Sequence, residues 1–191
     1  MRFELEALDL PGLTLVRPRV HGDARGFFLE SFRRSDFEAL GLPGTFDQDN
    51  HARSGAGVLR GLHYQLSPAD QGKLIRVVRG SVFDVAVDLR PDSPSFGRWE
   101  GVELHEDRQE MLYIPPGFAH GYKVLSNGAD LAYKVTCEYR ADLDRGIRWD
   151  DERLGIEWPG GKPVLSDRDR TLPGFDQADL GVARMPSDGS V

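Results

Sequence analysis

"SVFDVAVDLR", residues 81–90, alternates with a period of two. Val85, Val87 and Leu89 fall on one face and Asp84, Ala86 and Asp88 on the other, which is the pattern of a β-strand. Working outward, "GVELHED" (101–107), "QEMLYIPPG" (109–117), "GYKVLS" (121–126) and "LAYKVTCEY" (131–139) are apolar segments of similar length. "RPDSPSFG" (90–97), "PPG" (115–117) and "SNGAD" (126–130) separate them with turn residues. Many short strands at regular spacing predict an all-β sandwich or barrel, and a jelly roll is one such solution.

Helix signals are few. Ser35 and Glu38 fit a capping box, and Gly41 stops that helix after about two turns. A second short helical turn is expected near Asp150–Leu154. No repeat, low-complexity tract or composition break divides the 191 residues. The chain therefore reads as one domain over 1–175 with a C-terminal tail, 176–191, whose end "MPSDGSV" (185–191) is expected to be mobile.

Charged residues make up 29% and hydrophobics 39%, an ordinary soluble composition. The net charge of −7 argues against nucleic acid or an anionic membrane as partner, though a local cationic cluster can still bind a small anion. Cys137 is the one cysteine, so neither a disulfide framework nor a multi-cysteine zinc site is available. "MRFELEALDLPG" has no apolar signal-peptide core and no run reaches membrane length, so a cytoplasmic protein is expected.

"GVLRGLHYQ" (57–65) reads as a strand that carries Arg60 and His63 among apolar residues. Strict alternation places two residues three apart on opposite faces. Either Gly61 marks a bulge that turns both toward one cavity, or one of them points elsewhere. His63 is read as a satisfied core histidine or as a functional group. Arg60, Lys73 and Arg76 lie near it in sequence, although each cation can equally sit on a solvated strand face. "PPGFAH" (115–120) matches the Pro-x-Gly-x-x-His pattern of the second motif of cupin barrels. The first cupin metal motif needs a His-x-His pair, but here the chain reads His63-Tyr64-Gln65. Metal sites need three or four protein ligands, so no metal is expected.

"AYKVTCEY" places Tyr133 and Tyr139 on one strand face, as paired core aromatics or as a proton donor and a stacking platform. "LSDRD" (165–169) places Asp167 and Asp169 in a turn, where a carboxylate faces solvent or orients an imidazole.

Taken in order, these segments resemble the dTDP-4-dehydrorhamnose 3,5-epimerase family over about residues 1–175. The resemblance rests on "DARGFFLESFR" (23–33), "QDNHARSGAGVLRGLHYQ" (48–65), "QGKLIRVVRGSVFDVAVDLRPDSPSFGRW" (71–99), "MLYIPPGFAHGYKVLS" (111–126), "AYKVTCEY" (132–139), "GIRWDDERLGIEWP" (146–159) and "LSDRD" (165–169). It implies a cupin jelly-roll barrel, a homodimer, and a dTDP-4-keto-6-deoxyhexose substrate on the route to dTDP-L-rhamnose. By the same resemblance His63 is the catalytic base, Asp169 its paired carboxylate, Tyr133 the general acid, and Lys73 the group beside the sugar O4. Arg25, Glu30, Gln48, Asn50, Arg60 and His120 map to substrate-binding positions, while Phe27 and Tyr139 are read either as core aromatics or as a sandwich around the thymine. Asp144 and Arg168 stand where the family often has glutamate and lysine.

These residue types suit the chemistry. A C4 ketone acidifies the C3 and C5 hydrogens, and an imidazole, with an ordinary pKa of about 6.5, is a competent base at neutral pH. An ammonium beside O4 stabilises the enolate more than the ketone. No cofactor is required, and no Gly-x-Gly-x-x-Gly fingerprint is present. An epimerase acting at C3 or C5 alone shares these motifs. A non-catalytic sugar-nucleotide-binding cupin would keep the arginines and lose the base or the acid. A 4-ketohexose isomerase and a metal-dependent cupin oxygenase fit the motifs less well.

Overall fold

A computed structural model describes residues 2–181. Its strands are β1 (Phe3–Ala7), β2 (Thr14–Pro18), β3 (Val20–Asp23), β4 (Gly26–Leu29), β5 (Gln48–Gly55), β6 (Leu59–Gln65), β7 (Lys73–Arg79), β8 (Ser81–Asp88), β9 (Trp99–His105), β10 (Met111–Ile114), β11 (Phe118–Val124), β12 (Gly128–Val135) and β13 (Asp144–Gly146). The helices are α1 (Arg34–Ala39) and α2 (Asp167–Arg170). A six-stranded sheet runs β1-β2-β10-β7-β12-β5 and a five-stranded sheet runs β13-β6-β11-β8-β9, with β3 and β4 forming a separate ribbon. Paired strands are antiparallel throughout both sheets. This is the expected all-β, cupin-type architecture with few short helices.

The two sheets enclose the main core. Leu15, Ile75, Val77, Leu112, Ile114 and Leu131 from one sheet meet Val82, Ala86, Leu104, Phe118 and Val124 from the other. Fully burying each of the larger side chains contributes about 2 kcal/mol. The outer face of the five-stranded sheet is also covered: Val85, Val87 and Leu89 pack against Ile147, Leu154, Phe175 and Ala178. Strand β8 is therefore buried on both faces, and Asp84 and Asp88 lie fully inside. Asp88 is satisfied by Arg90, Ser93 and Ser95. The packed body continues through Ala178, which is buried, and therefore runs past residue 175. The end of the expected tail lies outside the described residues.

Two local expectations are corrected and a third holds. Helix α1 begins at Arg34 with Arg33 as N-cap and no side-chain cap, so the Ser35–Glu38 box does not form. The helix is held instead by Phe37, edge-on to Phe3 and Phe32 with ring centroids 5.0 and 4.9 Å away. Asp150–Leu154 forms the expected single helical turn: the Asp151 side chain accepts from the Leu154 N–H and its carbonyl from the Gly155 N–H four residues on. Strand β12 ends at Val135, so Tyr139 is not on the strand that carries Tyr133.

Candidate active site

The register between β6 and β11 resolves the question raised by Arg60 and His63. His120 pairs with His63 and Tyr122 with Arg60, so β6 spends three steps where β11 spends two. The extra residue is a bulge at Gly61–Leu62, which reverses the side-chain alternation between the two polar residues. Gly61 has φ +121°, and a Cβ there would lie 2.6 Å from the Gly121 Cα and 2.7 Å from the His120 carbonyl oxygen. Only glycine fits this approach.

The bulge turns Arg60 and His63 into one crevice with two connected lobes. One, of about 350 Å³, is lined by Arg60, His63, Lys73, His120, Tyr133 and Asp169 among others. The other, of about 310 Å³, shares His63, Lys73, Tyr133 and Arg168 with it and adds Gln48, Asn50, Tyr139 and Asp144. Strands from both sheets converge here, because β7 and β12 face β6 and β11 across the barrel mouth.

His63 Nε2 lies 2.7 Å from Asp169 Oδ1. Asp169 is 3% exposed, and its other oxygen accepts from the Ser166 hydroxyl at 2.9 Å. Ser166 in turn caps α2 by accepting the Asp169 N–H at 3.1 Å. The Ser166-x-x-Asp169 spacing carries this helix start in the sequence. It gives the "turn" a helical start and fixes the carboxylate that holds His63. Burial alone would raise the Asp169 carboxyl, but the His63 bond and charge, Ser166 and Arg168 outweigh it and hold the pKa below the ordinary value. With Nε2 committed to the carboxylate, Nδ1 is the ring nitrogen of His63 left for a ligand.

Lys73 is buried at the start of β7. Burial lowers its pKa to about 8, against the opposing pull of Asp144 and Asp84. Tyr133 also lines the crevice, and burial raises its phenol pKa. Arg60 donates through Nε to Ser54 Oγ at 2.9 Å, and Ser54 Oγ lies 3.1 Å from the Tyr122 hydroxyl. His120 Nε2 lies 2.9 Å from Asp84 Oδ1. Asp84, Ser54, Tyr122 and Ser166 were not singled out in the sequence. An aspartate inside the apolar run Val82–Val87 was the available signal for Asp84.

On the second lobe, Gln48 donates to Asn50 Oδ1 at 2.8 Å and accepts the Tyr139 N–H at 2.9 Å. The Asn50 amide N–H groups and one Gln48 N–H remain for a ligand. Arg168 and Asp144 form an ion pair at 2.7 Å, and the Tyr139 hydroxyl donates to Asp144 at 2.9 Å. The Tyr139 ring is 55% exposed, which leaves a face for stacking. Three expected residues are not brought in: Arg25, Phe27 and Glu30 lie on or just after the β3–β4 ribbon and do not line the crevice. Arg25 pairs with Asp23 and Glu30 with Arg2, while Phe27 is 58% exposed. Among the described residues, no three His, Cys, Asp or Glu side chains are grouped to hold a metal ion. No helix among them is long and apolar enough to cross a membrane.

Comparison with known proteins gives this geometry its context. The family model for dTDP-4-dehydrorhamnose 3,5-epimerase matches residues 7–177. A dTDP-4-dehydrorhamnose 3,5-epimerase of Shigella flexneri is 51% identical over 175 residues, covering 91% of this chain and 97% of that protein. A crystal structure of the dTDP-6-deoxy-D-glucose-3,5-epimerase of Legionella pneumophila, in complex with dTDP-4-keto-L-rhamnose, superposes with a TM-score of 0.88. It is 45% identical and covers 92% of this chain and 94% of its own. A 3'-monoepimerase from Streptomyces bikiniensis, in complex with dTDP-quinovose, reaches 0.83 at 37% identity, covering 88% and 86%. With similarity across nearly the full length of both chains, in sequence and in fold, this chain belongs to the dTDP-4-dehydrorhamnose 3,5-epimerase family and is a carbohydrate epimerase.

Proposed function

We propose that the crevice inverts C3 and C5 of a dTDP-4-keto-6-deoxyhexose, with His63 as base, Tyr133 as acid and Lys73 at O4. The observation that carries this reading is the His63–Asp169 pair at 2.7 Å in the same crevice as Tyr133 and Lys73. His63 Nδ1 takes the proton from C3. The C–H electron pair becomes the C3–C4 double bond, and the carbonyl electrons move onto O4. Asp169 stabilises the imidazolium, and the Lys73 ammonium meets the O4 charge. Tyr133 then protonates C3 on the opposite face and the ketone reforms. One proton leaves and one returns, so no oxidant, reductant or metal enters the balance. The second inversion at C5 repeats the sequence, and solvent restores the imidazole and the phenol between steps.

In this reading Arg60 and His120 hold the pyrophosphate. Asn50 and Gln48 meet the polar edge of the nucleoside, Tyr139 stacks on the thymine, and the Asp144–Arg168 pair frames the second lobe. The substrate is a small anion in a cationic crevice, which is consistent with a protein that needs neither nucleic acid nor a membrane as partner, and we place the reaction in the cytoplasm.

Arg25, Phe27 and Glu30 enter the site from a second copy of the chain. The ribbon that carries them is exposed at Phe27 and at Phe28, which is 66% exposed, and it joins neither sheet. A further groove on the outer face of the six-stranded sheet is lined by Leu74, Arg76, Val78 and Met111. There the buried Arg76 Nε has no partner. Both features fit a homodimer. Mixing His63→Ala with Arg25→Ala protomers tests the arrangement. Recovery of one site per mixed dimer, about a quarter of all sites in a random equimolar mixture, is expected, and no recovery would place Arg25 outside the partner's site.

NMR of the enzyme with dTDP-4-keto-6-deoxyglucose in heavy water tests the reaction. Deuterium at both C3 and C5 is expected, and exchange at one carbon alone would favour the single epimerase.

A further inference from the structure

Strand β12 ends at Val135, and Thr136 follows it with an N–H donated to the Gly72 carbonyl. Residues 137–140 belong to no strand, yet this stretch carries Tyr139 on the second lobe of the crevice. Backbone groups that leave a ladder need other partners. Three glutamine side chains supply them. Gln71 donates to the Cys137 carbonyl at 2.7 Å. Gln48 accepts the Tyr139 N–H at 2.9 Å. Gln65 donates to the Glu138 carbonyl at 3.3 Å and accepts the Arg140 N–H at 2.6 Å, so it grips the residues on either side of Tyr139.

Gln65 is buried at the end of β6, two residues from His63 and so on the same face of the strand. It also donates to the Ala69 carbonyl at 2.7 Å. Both of its amide N–H groups are thus committed to backbone, and neither remains to meet a ligand. Asp144, which accepts the Tyr139 hydroxyl, is the cross-strand partner of Gln65 on β13. One position on β6 therefore serves both ends of Tyr139: the backbone through its side chain and the phenol through its cross-strand neighbour. The Tyr139 ring is more than half exposed, so these polar anchors, and not core packing, fix its direction.

We propose that Gln65 is a positioning residue for nucleotide recognition: it holds the backbone on both sides of Tyr139 so that the exposed ring lies ready to stack on the thymine. The proposal rests on the reading of Tyr139 given above. An aromatic ring already held in its binding orientation loses less freedom when the ligand arrives, and that saving appears as affinity. The same clamp ties the stacking ring to the strand that carries His63, while Gln48 ties it to β5 of the other sheet. A role in closing the loop alone would lower stability without regard to the ligand. A positioning role is read out at the base.

The test is Gln65→Met in the full-length enzyme, which keeps the length of the side chain and removes its bonds to the loop. By calorimetry the affinity for dTDP is expected to fall about fivefold or more. Affinity for inorganic pyrophosphate, which has no base to stack, is expected to stay within about twofold. Tyr139→Ala by itself should weaken dTDP about tenfold. In that background Gln65→Met should cost less than about twofold further, because two residues that act through one contact are not additive. Wild-type dTDP affinity in Gln65→Met overturns the proposal. So does an equal loss for dTDP and pyrophosphate, or the full loss in the Tyr139→Ala background. If Gln65→Met does not fold, Gln65→Glu carries the same expectation, since it keeps the acceptor for the Arg140 N–H and loses the donor for both carbonyls. Failure of both to fold makes Gln65 a structural residue and also overturns it. Tyr139→Ala separates the two readings. If it binds dTDP as wild type does, the reading of Tyr139 fails and this proposal with it. If it binds weakly while Gln65→Met is unaltered, only the role of Gln65 is lost.

Discussion

Arg60 and His63 stand three residues apart on one strand, yet both side chains line the same crevice. The bulge at Gly61–Leu62 makes this possible by giving β6 one residue more than β11 between two cross-strand pairs. The proposed phosphate anchor and the proposed base are thereby set on one strand, with their spacing fixed by backbone hydrogen bonds and not by a loop.

Gly61→Ala tests that relationship. The added methyl meets backbone of β11 under 3 Å away, at a φ that side chains rarely adopt. A loss of about 3 kcal/mol in unfolding free energy is expected by denaturant titration, with activity falling further than stability explains. A variant of wild-type stability and activity would mean that the strand does not need its bulge.

His63→Ala removes the base. Deuterium incorporation at C3 and C5 should fall about a thousandfold or more, while dTDP binding by calorimetry is largely kept. Asp169→Asn should retain binding and lose about a hundredfold in kcat, since the imidazolium loses its counter-ion. Wild-type exchange in His63→Ala would assign the base elsewhere.

Tyr133→Phe should separate two measurements. A carbanion formed by His63 can still recapture a proton from the face it left, so exchange with solvent continues while inversion is lost. Proton exchange is expected to exceed product formation by about tenfold or more. Equal loss of both would count against an acid acting on one face only.

The pH profile should report Lys73. Burial lowers its pKa to about 8, and in the proposed mechanism the ammonium is the form that stabilises the enolate. The sign is therefore loss of kcat as pH rises through about 8, as the lysine becomes neutral. In Lys73→Arg the charge persists at high pH, so the residual activity of that variant should lack the limb. Persistence of the limb would point to another titrating group.

Arg60→Ala should weaken binding. Loss of a charge-assisted bond to a phosphate costs about 2 kcal/mol, or roughly thirtyfold in dTDP affinity. An unchanged affinity would remove Arg60 from the phosphate site.

Much of this was legible in the sequence because it is local or periodic. The alternation of Val85, Val87 and Leu89 specified a strand. The ordered motifs around His63, Lys73, Tyr133 and Asp169 specified the family, and the structure gathers all four into one crevice. What the structure placed differently depended on packing. Tyr139 left its expected strand, and α1 found its start through Phe37 rather than a cap. Arg25, Phe27 and Glu30 are carried away from the crevice by a ribbon that one chain leaves unpaired.

By itself the sequence determined the strands around 57–65 and 81–139 and the family, and it supplied the candidates for the reacting groups, since these follow from side-chain period, motif order and residue type. Tertiary structure decided which side each group faces. A one-residue bulge reverses the alternation, and its presence depends on how closely Gly61 and Gly121 approach across two strands. The same holds for Asp84, which reads as one half of an alternating strand. Only the burial of both faces of β8 puts it inside the protein, against His120.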